Sequence, residues 1–279
     1  MRLVSYVQNG IASFGPVVGE GVVDAGRRLG IAGLRAALAD DRLEAVRAIA
    51  AEPADCVIDA VTLLPVVPDP GKIICVGVNY ANHLEETGRD APAYPMLFSR
   101  FASSQVGHGQ PILRPMESDR LDFEGELAVV IGTGGRGIAR ENALAHVAGY
   151  SCYNDATLRD WQRHTSQFMP GKNFDVTGAF GPWLVTADEV ADPSVLTLET
   201  RLNGQMMQSA PLSDLIFDVP TLIAYASRFA TLAPGDVIVT GTPGGVGAFR
   251  DPPVWMEPGD IIEIEISGIG VLRNPIAQG

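Results

Sequence analysis

The twelve residues from Leu121 to Gly132, LDFEGELAVVIG, constrain this chain more than any other stretch. Their apolar run, Leu127-Ala128-Val129-Val130-Ile131, closed by Gly132, reads as a strand buried on both faces, which belongs inside a layered fold rather than at its rim. Side chains alternate along a strand, so Glu124 and Glu126 project to one side, joined by Asp122 if the extended backbone continues. Carboxylates crowded at the end of a core strand repel one another and are costly to bury. A hard cation removes both costs, because Mg²⁺, Mn²⁺ and Ca²⁺ take oxygen ligands. The alternative is a plain polar strand end at the surface, and the stretch by itself leaves both readings open.

With 279 residues the chain has room for a large core, and 46% hydrophobic with 19% charged residues is the balance of a globular protein. A formal charge of −13 argues against a nucleic-acid or anionic-membrane surface. Cys56, Cys75 and Cys152 lack CxxC spacing, so neither a disulfide framework nor a zinc site is expected. The opening MRLVSYVQNG has no signal-peptide pattern, and no apolar run reaches a spanning length of ~20 residues. The expectation is a cytoplasmic, unexported protein.

Residues 1–24 alternate short apolar runs with glycine, predicting hairpins. Apolar spacing at Ile31, Leu34 and Leu38, then at Leu43, Val46 and Ile49, predicts two helices with Asp40 and Asp41 as caps. Three prolines within Pro65–Gly71 forbid helix and mark a boundary between a small α/β segment, 1–68, and a larger domain, 69–279. Downstream, Asn203-Gly204 predicts a tight hairpin, and Val219–Phe229 predicts an amphipathic helix with Pro near its start.

Chemistry-bearing residues cluster at strand exits. The apolar strand at Lys72–Val78 runs into His83 and Glu86, three apart, which puts them within hydrogen-bond reach on a helical turn. A carboxylate against imidazole fixes its tautomer and raises its basicity, as a general base requires, whereas a solvent-facing helix pair is the ordinary reading. Ala148–Tyr153 delivers Asp155 to a second strand exit, where a third metal ligand would stand, although turn and cap aspartates are common. Arg100 is a candidate for an anionic ligand. Gly171-Lys172 lacks the spacing of a phosphate loop, and the glycine-rich Gly241–Gly247 suits either carboxylate binding or a tight turn.

Taken in order, GVNYANHLEETG, PMLF, DFEGELAVVIG, YNDATLRDWQ, GKNFD and VIVTGTPGGVG resemble the fumarylacetoacetate hydrolase superfamily over about residues 72–275. The resemblance implies an α+β, β-rich fold: a mixed β-sandwich roll with a small N-terminal α/β domain, usually a homodimer. It also implies Glu124, Glu126 and Asp155 as ligands of a divalent cation, with Mg²⁺ first and Mn²⁺ or Ca²⁺ next. His83 and Glu86 match a water-activating dyad and Lys172 a catalytic cation, while Gln162, Gly241 and Thr242 match contacts to a small 2-oxo acid. The chain departs from the family pattern at Arg100-Phe101, where many members carry Lys-Pro. The expected activity is hydrolysis of a C–C bond in an acylpyruvate or related 2,4-dioxo acid. Decarboxylation of an oxaloacetate-type acid, isomerisation or hydration, and simple ligand binding are the alternatives.

Overall fold

The computed structural model describes residues 1–88, 90 and 92–279. Two large sheets and one two-stranded pair, Leu121–Asp122 with Thr157–Leu158, carry the described residues. The larger runs in the order Cys56–Val57, Gly21–Val22, Ile11–Val18, Arg2–Gln8, Gly178–Thr186, Val147–Asn154, Gly125–Ile131, Val237–Val239, Ile73–Gly77 and Met96–Arg100. The smaller runs Gln205–Pro211, Thr197–Leu202, Ile261–Ile266, Gly270–Gln278 and Ile112–Arg114. Most pairs are antiparallel, but Val237–Val239 lies parallel to Ile73–Gly77, so the sheet is mixed and the fold is the β-rich α+β type expected.

The strand Gly125–Ile131 is buried along its whole length, and its side chains divide between two cores. Leu127, Val129 and Ile131 face a core shared with Ile262, Ile264 and Ile266 of the second sheet. Ala128 and Val130 face another, shared with Leu34, Val46 and Phe14 of the N-terminal segment. Burying each of the larger side chains contributes roughly 1.5–3 kcal/mol, so this strand is fixed in register from both sides.

The N-terminal segment is joined to this architecture. Arg2–Gln8 turns at Asn9-Gly10 into Ile11–Val18 and also pairs with Gly178–Thr186, which extends the large sheet. Three short helices, Ala25–Leu29, Leu34–Ala39 and Leu43–Ile49, cover its second face, one more than the periodicity marked. Asp40 and Asp41 do not cap a helix N-terminus. Asp40 closes Leu34–Ala39, Asp41 takes a left-handed φ of 52° in the turn, and Arg42 stands at the N-cap of the next helix. Aspartate tolerates that conformation well, which is what a two-helix turn of this length needs.

The Asn203-Gly204 hairpin forms as expected, with φ of 52° and 78° joining Thr197–Leu202 to Gln205–Pro211. Val219–Phe229 is a helix with Pro in its first turn, and Asp218 at its N-cap accepts the Thr221 N–H. The three cysteines are free, and no helix among the described residues is long and apolar enough to cross a membrane.

Candidate metal centre

The extended backbone of Leu121–Asp122 breaks before Gly125–Ile131 begins, and that break sorts the carboxylates. Asp122 turns away from the other two. It accepts the N–H groups of Phe123, Gly247 and Ala248 and pairs with Arg159 Nε at 2.8 Å. Glu124 and Glu126 converge with Asp155, which leaves the end of Val147–Asn154 and donates its N–H to the Glu124 carbonyl at 2.9 Å. One carboxylate oxygen from each of Glu124, Glu126 and Asp155 lies within 4.8 Å of the others, and all three residues are buried. The residue between the glutamates has to be glycine, because a Cβ on Gly125 would stand 2.2 Å from Thr200 Oγ1 of the second sheet.

Three buried cations surround the cluster. Lys172 Nζ sits between Glu124 Oε2 and Asp155 Oδ2, the latter at 2.7 Å. Arg159 Nη2 lies 2.7 Å from Glu124 Oε1, and Arg100 Nη1 donates to Asp155 Oδ1 at 2.6 Å. Glu126 has no such neighbour in contact among the described residues; its Oε2 accepts only the Gly241 N–H, at 2.5 Å. The electrostatics follow. Burial would raise the Glu124 carboxyl, but Arg159 and Lys172 outweigh it and hold it down at about 2. Burial, then Asp155 and Glu124, push Glu126 well above the ordinary carboxylate range. Four buried carboxylates, counting Asp122, thus face three cations, with the shortfall at Glu126. An oxygen-only donor set around an uncompensated carboxylate fits a hard divalent cation, and Lys172 already stands where a positive charge is favoured.

The three carboxylates form one wall of a cavity of about 100 Å³ that is also lined by His83, Thr87, Gln162, Arg163, Lys172 and Thr242. His83 is the buried residue of the helix Ala81–Thr87, and its Nδ1 lies 2.9 Å from Glu86 Oε2. The other Glu86 oxygen accepts the Gly245 N–H at 3.0 Å, so the glycine-rich loop holds the pair in place. Val78, a β-branched residue at φ 52°, delivers the chain to this helix; such a conformation stores of order 1–3 kcal/mol and is typical of functional sites. Asn79 pins it by donating to the Phe217 and Thr240 carbonyls.

Glu124, Glu126, Asp155, Lys172, His83, Gln162 and Thr242 therefore meet at one cavity, with Glu86 behind His83. Gly241 contributes through its N–H to Glu126. Arg100 is placed differently from expectation. Its side chain is fully buried, bonded to Asp155, the Ala156 carbonyl and Thr177, so it braces a ligand instead of facing the cavity. Sequence reasoning missed Arg159, although its place directly after the strand Thr157–Leu158, four residues past Asp155, was a usable signal.

A two-sheet roll carrying a buried Glu-Glu-Asp cluster able to bind a divalent cation, beside a histidine–carboxylate pair, is a recognisable class of protein. Residues 72–277 match the family described as Fumarylacetoacetate (FAA) hydrolase C-terminal. The mitochondrial oxaloacetate tautomerase of Xenopus laevis is 44% identical over 218 residues, 77% of this chain and 68% of that protein. Among solved structures, fumarylacetoacetate hydrolase from Exiguobacterium antarcticum is 38% identical with a TM-score of 0.85, covering the whole of both chains. Maleylpyruvate hydrolase from Sphingobium sp. SYK-6, in complex with manganese(II) and pyruvate, is 32% identical with a TM-score of 0.84, again over both whole chains. This chain belongs to the fumarylacetoacetate hydrolase family.

Proposed function

We propose that this enzyme binds a small 2-oxo acid against Glu124, Glu126 and Asp155 and moves a proton at the carbon beside the keto group, interconverting keto and enol forms of an oxaloacetate-type acid. The observation that carries the reading is the placement of His83, oriented by Glu86, on the wall of the cavity that the three carboxylates line. Mg²⁺ suits the oxygen donor set, with Mn²⁺ next. When bound, the cation polarises the 2-oxo acid as a Lewis acid. Glu86 accepts from His83 Nδ1–H, which leaves Nε2 as the proton acceptor. His83 takes a proton from the substrate carbon, leaving an enolate whose charge the Lys172 ammonium offsets; the enolate oxygen then takes a proton from water to give the enol, and the reverse direction removes that O–H proton and returns the His83 proton to carbon. Thr242 and Gln162 line the same space and are placed to hold the acid.

Two observations order the alternatives. The cavity of about 100 Å³ is far below the ~300–1,000 Å³ of pockets for drug-sized ligands, which favours a compact acid. The likeness to an oxaloacetate tautomerase supports the same choice. The acylpyruvate hydrolysis expected from the sequence is the second reading, favoured by the likeness to maleylpyruvate hydrolase and by a His-Glu pair able to deprotonate water. There hydroxide attacks the distal carbonyl, and the C–C bond breaks to release a pyruvate enolate.

The test is a panel of oxaloacetate and acylpyruvates with Mg²⁺, following enol absorbance, acid release and CO₂. Accelerated loss of the oxaloacetate enol without acid or CO₂ release supports tautomerisation. Pyruvate release from an acylpyruvate, with no effect on the enol, would replace it with hydrolysis.

A further inference from the structure

We infer that Arg163 recognises the second carboxylate of the substrate, so that the site prefers a short 2-oxo dicarboxylate, a dianion, over a monocarboxylate. This rests on the 2-oxo acid reading above. Arg163 follows the short helix Arg159–Gln162 and is exposed, yet it lines the cavity with the carboxylate cluster. Arg100 and Arg159 are committed to Asp155 and to Asp122 with Glu124, whereas the Arg163 side chain has no hydrogen bond or ion pair among the described residues. In a chain with 33 acidic and 20 basic residues, a free guanidinium at a cavity is well suited to an anion. Its planar fork matches a carboxylate in two parallel hydrogen bonds.

Charge balance points the same way. On the cavity wall Arg159, Arg163 and Lys172 equal Glu124, Glu126 and Asp155 in number, and behind it Arg100, paired with Asp155, and Asp122, paired with Arg159, cancel in the sum. The wall is formally neutral, and a divalent cation brings it to two positive charges. A dianion restores neutrality; a monoanion leaves one charge uncompensated in a partly closed space. The layout also separates the two anionic ends of the ligand. The buried cluster lies at the interior, Arg163 is at the exposed side, and Gln162 lies between them in sequence.

The experiment measures binding of oxaloacetate and pyruvate to the wild type, Arg163→Gln and Arg163→Lys, each with Mg²⁺, by ligand-induced thermal shift, with enol turnover recorded in parallel. Arg163→Gln should weaken oxaloacetate by about tenfold and leave pyruvate within about twofold, with partial recovery in Arg163→Lys. Equal changes for both ligands, or none for either, overturn the role of Arg163 whatever the turnover. A wild type with the Arg163-dependent preference but no catalysis of enol exchange overturns the functional reading and leaves this one standing. Failure of the wild type to bind either ligand overturns both.

Discussion

The two halves of the site are built in opposite ways. The acidic half stands at the ends of two central strands, sealed by both sheets, and its three carboxylates are almost wholly excluded from solvent. The basic half rides on the seven-residue helix Ala81–Thr87, whose one buried side chain is His83 and whose N-cap residue, Tyr80, makes no side-chain cap bond. Two backbone donors of the glycine-rich loop secure it, Gly244 to Asn82 Oδ1 and Gly245 to Glu86 Oε1, each at 3.0 Å. A helix that short draws little stability from itself, so these contacts and His83 set its position. In the proposed reaction the sealed half fixes charge, and the lightly held half supplies the proton acceptor.

The comparison predicts separable effects. Within the acidic half Glu124→Gln should be the most damaging change, because it leaves Lys172 and Arg159 buried without their shared partner; a loss of about 3–5 kcal/mol in denaturant unfolding is expected. Glu126→Gln should leave metal-free stability within about 1 kcal/mol, since this carboxyl has no cation to abandon and is already pushed toward its neutral form. In the lightly held half, His83→Ala should lower turnover by about 10²–10⁴-fold while the Mg²⁺-induced rise in melting temperature stays as in the wild type. Loss of that rise would mean the halves are not separable. Glu86→Gln should cost less, about tenfold, because the one amide oxygen can still accept from Nδ1 while the amide NH₂ gives up the bond from the Gly245 N–H.

Much of this division was legible in the sequence. The apolar run at Leu127–Ile131 announced a doubly buried strand because five successive apolar side chains, short of helix length and closed by Gly132, leave neither face of a strand for water. Glu124, Glu126, Asp155, His83 and Glu86 were legible because each follows or opens such a strand. Arg100 was misplaced because a sequence shows charge but not direction, and only the fold reveals Asp155 as its partner. Asp122 shared the spacing of the glutamates, yet the backbone break between Asp122 and Gly125 sends it to Arg159 and the loop at Gly247. The break has no local signature; it is imposed by pairing of Leu121–Asp122 with Thr157–Leu158.

A smaller effect follows from pH. Glu126 is raised by burial and its acidic neighbours, so protons compete with a cation for it; affinity should therefore fall as pH is lowered, with proton release on binding over the range in which Glu126 titrates. Titration in two buffers of different ionisation enthalpy measures that release. Smallest of all, Gly204→Ala at φ 78° should cost about 1 kcal/mol of stability with turnover unchanged, because the Asn203-Gly204 turn lies outside both halves.

The most direct measurement is the melting temperature of the wild type and Glu126→Gln with and without saturating Mg²⁺. At about 100 times its dissociation constant a cation adds about 2.7 kcal/mol, or roughly 5–10 °C. The wild type should show that rise, and Glu126→Gln, equally stable without metal, should lose it. A wild type whose melting is unmoved by millimolar Mg²⁺, Mn²⁺ or Ca²⁺, or a Glu126→Gln variant that still responds fully, would contradict the assignment of this cluster as a divalent-cation centre.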